Sequence, residues 1–156
     1  MLTDKTVLAL DIGSTTGFAV NVDRANDAAW HGTVKFSAPI HDQRFCQFAD
    51  WLADRITDLK PDIIVYEHGT PIGLAAKQLL FGFAAVARLI AWRREVAVLF
   101  MWPSTLKKWA TGKGNCTKSD MINEAEKRGF APKTDHEADA ILLLLRTLEV
   151  AEVEAA

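Results

Sequence analysis

The sequence predicts an α/β domain: a mixed five-stranded sheet, made of a hairpin meander plus parallel strands, flanked by helices. Three observations carry that reading. Three strand-like runs come first with no helix between them. Two further short, apolar strands then alternate with long helical segments, the order that produces βα crossovers and a mixed sheet. Finally, 156 residues that are 49% hydrophobic and 24% charged suffice for one ordinary core without a disulfide or metal staple. Residues 1–150 are expected to form that single domain, and the Ala/Glu-rich segment 151–156 a fraying tail.

Each element follows from local pattern. Thr6 to Asp11 is a strand apolar on both faces, Gly13-Ser14-Thr15-Thr16-Gly17 reads as a turn, and Phe18 to Val22 resumes as a second strand. Ala28 to Phe36 is a third, with Trp30, Gly32, Val34 and Phe36 on one side. From Asp42 to Leu59 the residues Phe45, Phe48, Ala49, Leu52, Ile56 and Leu59 recur at helical spacing, and Lys60-Pro61 ends the helix. Asp62 to Glu67 is a short strand, Leu74 to Arg94 a long helix of small and apolar residues, and Val96 to Met101 a fifth strand. Pro103 opens a short helix to Trp109, a basic Gly-rich loop follows at Thr111 to Asn115, and Lys118 to Arg128 is a helix closed by Gly129. Thr134, with Glu137 three residues on, has the pattern of a capping box at the start of the last helix.

Two cysteines, Cys46 and Cys116, are seventy positions apart, a spacing that is neither a zinc site nor a disulfide framework and fits a reducing, cytoplasmic setting. The opening run Val7-Leu8-Ala9-Leu10 is too short and wrongly flanked for a signal peptide. The apolar stretch Leu79 to Trp92 is interrupted by Arg88 and falls short of a bilayer span, so no membrane partner is expected.

The chemistry concentrates in a few carboxylates. Asp11 ends the first strand and Glu67 ends the fourth. If these strands are parallel neighbours, both carboxylates emerge at the carboxyl edge of the sheet, where α/β proteins bind ligands. Asp139 precedes Ala140-Ile141-Leu142-Leu143-Leu144-Leu145, so its helix must be buried, and a buried carboxylate needs a compensating cation. His136 stands three residues earlier on the same face; it reads equally as a ligand and as an exposed first-turn residue. Glu137 has a sufficient role in the cap and is set aside. Three carboxylates at such places are the ingredients of a two-metal site that hydrolyses phosphodiesters, and oxygen donors select Mg²⁺ or Mn²⁺ over zinc.

The formal net charge of −2 conceals a segregation. Between Lys77 and Lys118 stand Lys77, Arg88, Arg93, Arg94, Lys107, Lys108, Lys113 and Lys118 against Glu95 alone, +7, while ten basic and nineteen acidic residues elsewhere make −9. A cluster of this kind favours a phosphate backbone as partner. Arg93 and Arg94 also fit a solvated helix face. The loop around Lys113 lacks the Gly-Lys-Ser/Thr ending of a Walker motif.

Taken in order, Leu8-Ala9-Leu10-Asp11-Ile12-Gly13 with Thr16-Gly17-Phe18-Ala19, Ile64-Val65-Tyr66-Glu67, Trp102-Pro103-Ser104 with Lys107-Lys108, Gly112-Lys113-Gly114 with Lys118, and His136-Glu137-Ala138-Asp139-Ala140 resemble the RuvC-type Holliday junction resolvases of the RNase H-like nuclease superfamily. The resemblance spans Val7 to Leu145. It implies an RNase H-like fold and a homodimer that binds a four-way DNA junction and nicks two opposed strands. It also implies two Mg²⁺ ions per site, with Mn²⁺ as a substitute, and no organic cofactor. By the same resemblance Asp11, Glu67 and Asp139 are metal-binding carboxylates, and His136 matches a fourth position that is Asp or His in the family. Lys107 and Lys118 look like the basic residues near the scissile phosphate; the charge cluster itself makes Lys77, Arg88, Lys108 and Lys113 further candidate DNA contacts. The helix from Leu74 would lie at or near the dimer interface, where Ala75, Ala76, Gly82, Ala84 and Ala85 would let helices approach closely. In place of the aromatic that cellular members carry just after the glutamate, this chain has His68-Gly69-Thr70-Pro71. Short divergent members are often encoded by phages or prophages, which widens the expected substrate to branched or flapped DNA.

Two other classes remain to be weighed. Asp11-Ile12-Gly13-Ser14-Thr15 also resembles the phosphate loop of actin-like ATPases and sugar kinases. Those folds need two such domains and a second Asp-Gly motif, and the chain has neither the length nor the second copy. A junction-binding protein that has lost cleavage would keep the fold, but the intact acidic set argues against it.

Overall fold

The computed structural model describes residues 4–23 and 28–155. Strands β1 (Val7–Asp11), β2 (Thr15–Asp23) and β3 (Ala28–Lys35) come first, then α1 (His41–Leu59), β4 (Ile63–Glu67), α2 (Leu74–Arg93) and β5 (Ala97–Met101). Helices α3 (Pro103–Thr111), α4 (Lys118–Lys127) and α5 (Asp135–Ala155) complete the chain. The sheet order is β3-β2-β1-β4-β5. β1 pairs antiparallel with β2 and β2 with β3, whereas β1–β4 and β4–β5 are parallel. This is the mixed five-stranded α/β sheet that the meander and crossovers predict.

Strand alternation sorts the side chains into two layers. Val7 and Ala9 of β1, Ala19 of β2, and Ile63 and Val65 of β4 pack against α3, α4 and α5. Leu8, Leu10, Phe18, Val20, Ile64 and Tyr66 point the other way, against α1 and α2. Asp11 and Glu67 continue the first series, so both face α5 at the carboxyl edge. Trp30, Val34 and Phe36 lie on the α1 side, as the period-two pattern predicts, and Phe18 meets Trp30 with centroids 4.9 Å apart.

Helix α5 is the central brace. Ala138 and Ala140 to Leu144 are buried as a continuous run, and the helix packs across β1, β2, β3 and β4. Its start lies directly on the sheet at Gly17, where an added Cβ would stand 1.9 Å from the His136 carbonyl oxygen. No side chain fits there, so the glycine is a condition of the packing.

Several local details differ from the sequence-based expectation. β2 begins at Thr15, inside the segment read as a turn. The bend is closed earlier by Thr16, whose Oγ1 donates to the Gly13 carbonyl (2.8 Å) and accepts from the Gly13 N–H (3.2 Å); Thr15 and Thr16 are then β-branched residues suited to the ladder. The box at Thr134 is only half formed: Thr134 Oγ1 accepts from Glu137 N–H, but the Glu137 carboxylate bonds the Lys133 N–H instead. The complete capping box is Thr117 with Asp120, at the start of α4. Helix α5 continues to Ala155, so the segment expected to fray is helical that far; Ala156 lies outside the described residues.

The apolar stretch expected to fall short of a bilayer span is part of a longer helix: α2 runs from Leu74 to Arg93 and is long and apolar enough to cross a membrane by length and composition alone. One stripe, Phe83, Ala87 and Ala91, is fully buried on the sheet. Gly82 admits Phe45 of α1, whose ring lies 2.3 Å from where a Cβ would be. The outward side keeps Leu74, Phe81, Leu89 and Trp92 exposed.

Gly17→Ala is expected to cost about 3 kcal/mol, the upper part of the range for overpacking, because backbone rather than a mobile side chain blocks the added methyl. Urea unfolding checks this through a lower midpoint at unchanged slope; a midpoint equal to that of the parent would remove α5 from its place on β2.

Candidate metal centre

The parallel register sets Leu10 opposite Tyr66, so the next residues, Asp11 and Glu67, leave neighbouring strands side by side. Asp139, one turn into α5, comes down on them from the helix layer. One carboxylate oxygen from each of Asp11, Glu67 and Asp139 lies within 4.8 Å of the others. His136, one turn earlier on α5, donates from Nδ1 to Asp11 Oδ2 at 2.7 Å. The three carboxylates singled out from the sequence therefore converge, and His136 joins them.

Their electrostatics show what the site lacks. Burial, then repulsion from Asp11 and Asp139, pushes Glu67 up to about 8. Burial, then Asp11 and Asp135, pushes Asp139 up to about 7. The hydrogen bond to Asp11 raises His136, against an opposing effect of burial. Among the described residues, Glu67 Oε2 and Asp139 Oδ1 are buried without any hydrogen-bond partner. Orphaned carboxylate oxygens in a partly desolvated cluster are costly unless a cation joins them. A set of hard oxygen donors with one imidazole beside it suits Mg²⁺ or Mn²⁺, so the residues fit a divalent cation.

The basic residues divide. Lys107 on α3 acts on both Glu67 and Asp139, lowering each. Lys118, at the start of α4, is 80% exposed and donates to Asp135 Oδ2 at 2.9 Å; that hydrogen bond raises the lysine and holds Asp135 below the usual carboxylate range despite its burial. Lys113 lies in the exposed loop after α3 and acts on Asp120, and Lys108 is exposed in the last turn of α3. Lys77 and Arg88 stand on α2, on the other face of the sheet from α5. Asp135 was not singled out from sequence, because only the fold brings α4 and α5 together at their starts.

A second group also escaped sequence reading. His68 stacks on Trp102 with centroids 4.8 Å apart and planes at 25°, and Phe81 and Phe100 meet the same ring edge-on at 6.0 and 5.6 Å. Trp102, Phe81 and Phe100 are about half exposed. His68 follows Glu67 and Trp102 follows β5, so the cluster adjoins the carboxyl edge.

The site is a carboxylate cluster at the carboxyl edge of the central parallel strands of an α/β fold, an arrangement consistent with a divalent cation. Comparison with solved structures narrows the fold. RuvC of Thermus thermophilus is similar at 18% identity over 96% of each chain, with a TM-score of 0.76, rising to 0.80 for its structure in complex with Holliday junction substrate. The yeast mitochondrial Holliday junction resolvase Ydc2 gives 0.65 at 9% identity over 88% of this chain and 75% of that one. Fowlpox virus resolvase, solved with Holliday junction DNA, gives 0.54 at 14% identity over 94% and 98%. No protein-family model and no curated protein sequence matches the chain. The fold is that of the RuvC-type resolvases.

The carboxylate cluster has a consequence for stability. In the folded, metal-free protein Glu67 keeps its proton up to about 8, against an ordinary 4.5. Between those values the unfolded chain has released the proton and the folded one has not, so stability falls as pH rises. Glu67→Gln removes that penalty. Its thermal midpoint without metal is expected to exceed that of the parent by about 5 °C or more at about pH 9, and to match it near pH 5. Differential scanning calorimetry checks this; a variant no more stable than the parent at the higher pH would contradict the desolvated cluster.

Proposed function

We propose that the protein is a divalent-metal-dependent, structure-selective DNA endonuclease that resolves four-way junctions, or related branched DNA, by paired nicks. The observation that carries this reading is the convergence of Asp11, Glu67 and Asp139 with two orphaned oxygens, at the carboxyl edge of a resolvase fold. Similar proteins solved with Holliday junctions support branched DNA as the substrate class.

Asp11, Glu67 and Asp139 would hold Mg²⁺ or Mn²⁺, two ions per site by the family resemblance. Bound there, the cations supply neutralisation of the carboxylates, activation of water and stabilisation of the leaving oxygen. The chain's own residues do the rest. His136 holds its Nδ1 proton toward Asp11 and so orients that carboxylate. Lys107, placed to act on Glu67 and Asp139, offers a fixed positive charge to the incoming phosphate. Lys118 is exposed on a long flexible stem and can exchange Asp135 for a phosphate oxygen. Lys108 and Lys113 extend the basic surface along α3 and its loop, while Lys77 and Arg88 would meet DNA only where it wraps toward α2.

Paired nicks require two sites, hence a homodimer. The exposed Leu74, Phe81, Leu89 and Trp92 of α2, with Phe100 on the same side of β5, form the apolar surface that a second copy would cover. The stacked His68 and Trp102, at the carboxyl edge beside Glu67, would present a ring face to unpaired bases.

Asp11→Asn is expected to fold and to bind a four-way junction with parental affinity in Ca²⁺, yet to cut it at least about a thousandfold more slowly in Mg²⁺. Gel-shift and strand-cleavage assays on the same junction check both halves. Retained cleavage would remove Asp11 from the reaction, and a parent protein that nicks no branched DNA in Mg²⁺ or Mn²⁺ would overturn the enzyme reading.

A further inference from the structure

The start of α5 lies across one rung of the sheet. Asp11 pairs with Gly17, and Gly17 with Thr33, so the three stand side by side from β1 to β3. Above the rung, His136 bonds Asp11 at the inner end, and its backbone covers Gly17 in the middle. At the outer end Thr134 Oγ1 meets Thr33 Oγ1 at 2.9 Å. Two residues along the same face of β3, His31 Nδ1 is hydrogen-bonded to Glu137 Oε1. The Glu137 residue is only 3% exposed. Its other oxygen accepts from the Lys133 N–H at 3.0 Å, and Phe130 holds the His31 ring edge-on with centroids 6.1 Å apart.

Glu137 sits between His136 and Asp139 but turns away from the carboxylate cluster. A carboxylate buried this deeply is retained at a cost unless its bonds do something for the fold. Here they tie the first turn of α5 to the outer strand, 106 residues away in sequence. His136 and Asp139 flank Glu137 on that same helix start, whereas Asp11 and Glu67 stand on the sheet. A shift of the turn therefore moves two donors together relative to the other two, and cation sites are sensitive to displacements well below an ångström.

We propose that Glu137 and His31 are positioning residues, a latch that sets the divalent-cation affinity of the centre without touching it. The inference rests on reading Asp11, Glu67 and Asp139 as a cation site. The helix start thereby gains a second function beside its cap, and β3, which carries no cluster residue, is linked to the chemistry.

The test is the Mn²⁺ dissociation constant, measured by calorimetry on the full chain without DNA. His31→Ala is expected to weaken Mn²⁺ by about tenfold or more, the effect typical of losing an outer partner of a metal site. Leu52→Ala, a buried α1 residue on the opposite face of the sheet, lowers stability without touching the latch and should leave the constant unchanged. His31→Gln, which can still donate to Glu137, should recover most of the affinity, and His31→Leu, of similar bulk without a donor, should not. This last pair makes the comparison if His31→Ala fails to fold. Equal Mn²⁺ affinity in His31→Gln and His31→Leu, or an equal loss in Leu52→Ala, would overturn the latch. A parent protein that binds no Mn²⁺ would instead overturn the cation site on which the inference stands.

Discussion

Helix α5 can lie on the sheet only because position 17 has no side chain. The His136 carbonyl occupies the space that a Cβ would need, and every donor contributed by the helix depends on that approach. Lifted by the width of a methyl group, α5 would carry Asp139 and His136 away from Asp11 and Glu67. The buried run from Ala140 to Leu144 then makes the approach rigid, since close-packed interiors transmit displacement rather than absorb it. The site is thus a property of the helix–sheet contact as much as of its carboxylates.

That contact concentrates negative charge where water is scarce. Lys107 and His136 relieve part of the repulsion, yet Glu67 and Asp139 still sit at about 8 and about 7. A fold selected for stability alone would replace one of them with an amide; keeping all three is the stability–function trade typical of cation-dependent centres. The segregation of charge along the chain has the same logic. The basic stretch from Lys77 to Lys118 places Lys107 and Lys118 beside the cluster, and the remaining basic side chains on α2, α3 and their loops, so that a near-neutral average coexists with a strongly polarised surface.

Much of this was legible in the sequence because it depends on short-range pattern. The apolar strands ending in Asp11 and Glu67, the 3.6-residue period of α1, and the apolar run after Asp139 each declare themselves within a dozen residues. The parallel pairing that joins Asp11 to Glu67 follows from a meander succeeded by a crossover. What escaped reading depends on partners far along the chain. Gly17 looks like a turn residue until α5 is laid over it, and Thr15 looks like a turn until Lys35 pairs with it. Glu137 reads as a cap partner, although His31 takes its carboxylate. Asp135 and Lys118 meet only through the packing of α4 on α5, and the room at Gly82 is taken by Phe45, 37 residues earlier in the chain. The helical continuation to Ala155 has no local punctuation to announce it, since no Gly or Pro follows Val150.

On the proposed reading, Asp11, Glu67 and Asp139 form a site completed by a divalent cation. Cation binding must then expel the protons that Glu67 and Asp139 hold in the free protein. Calorimetric titration of the full chain with Mn²⁺ at about pH 7, in buffers of different ionisation enthalpy, counts those protons directly. Release of about one to two protons per chain is expected at that pH, falling away by about pH 9, where both groups are largely ionised. Absence of Mn²⁺ binding, or binding with no proton released at the lower pH, would contradict it.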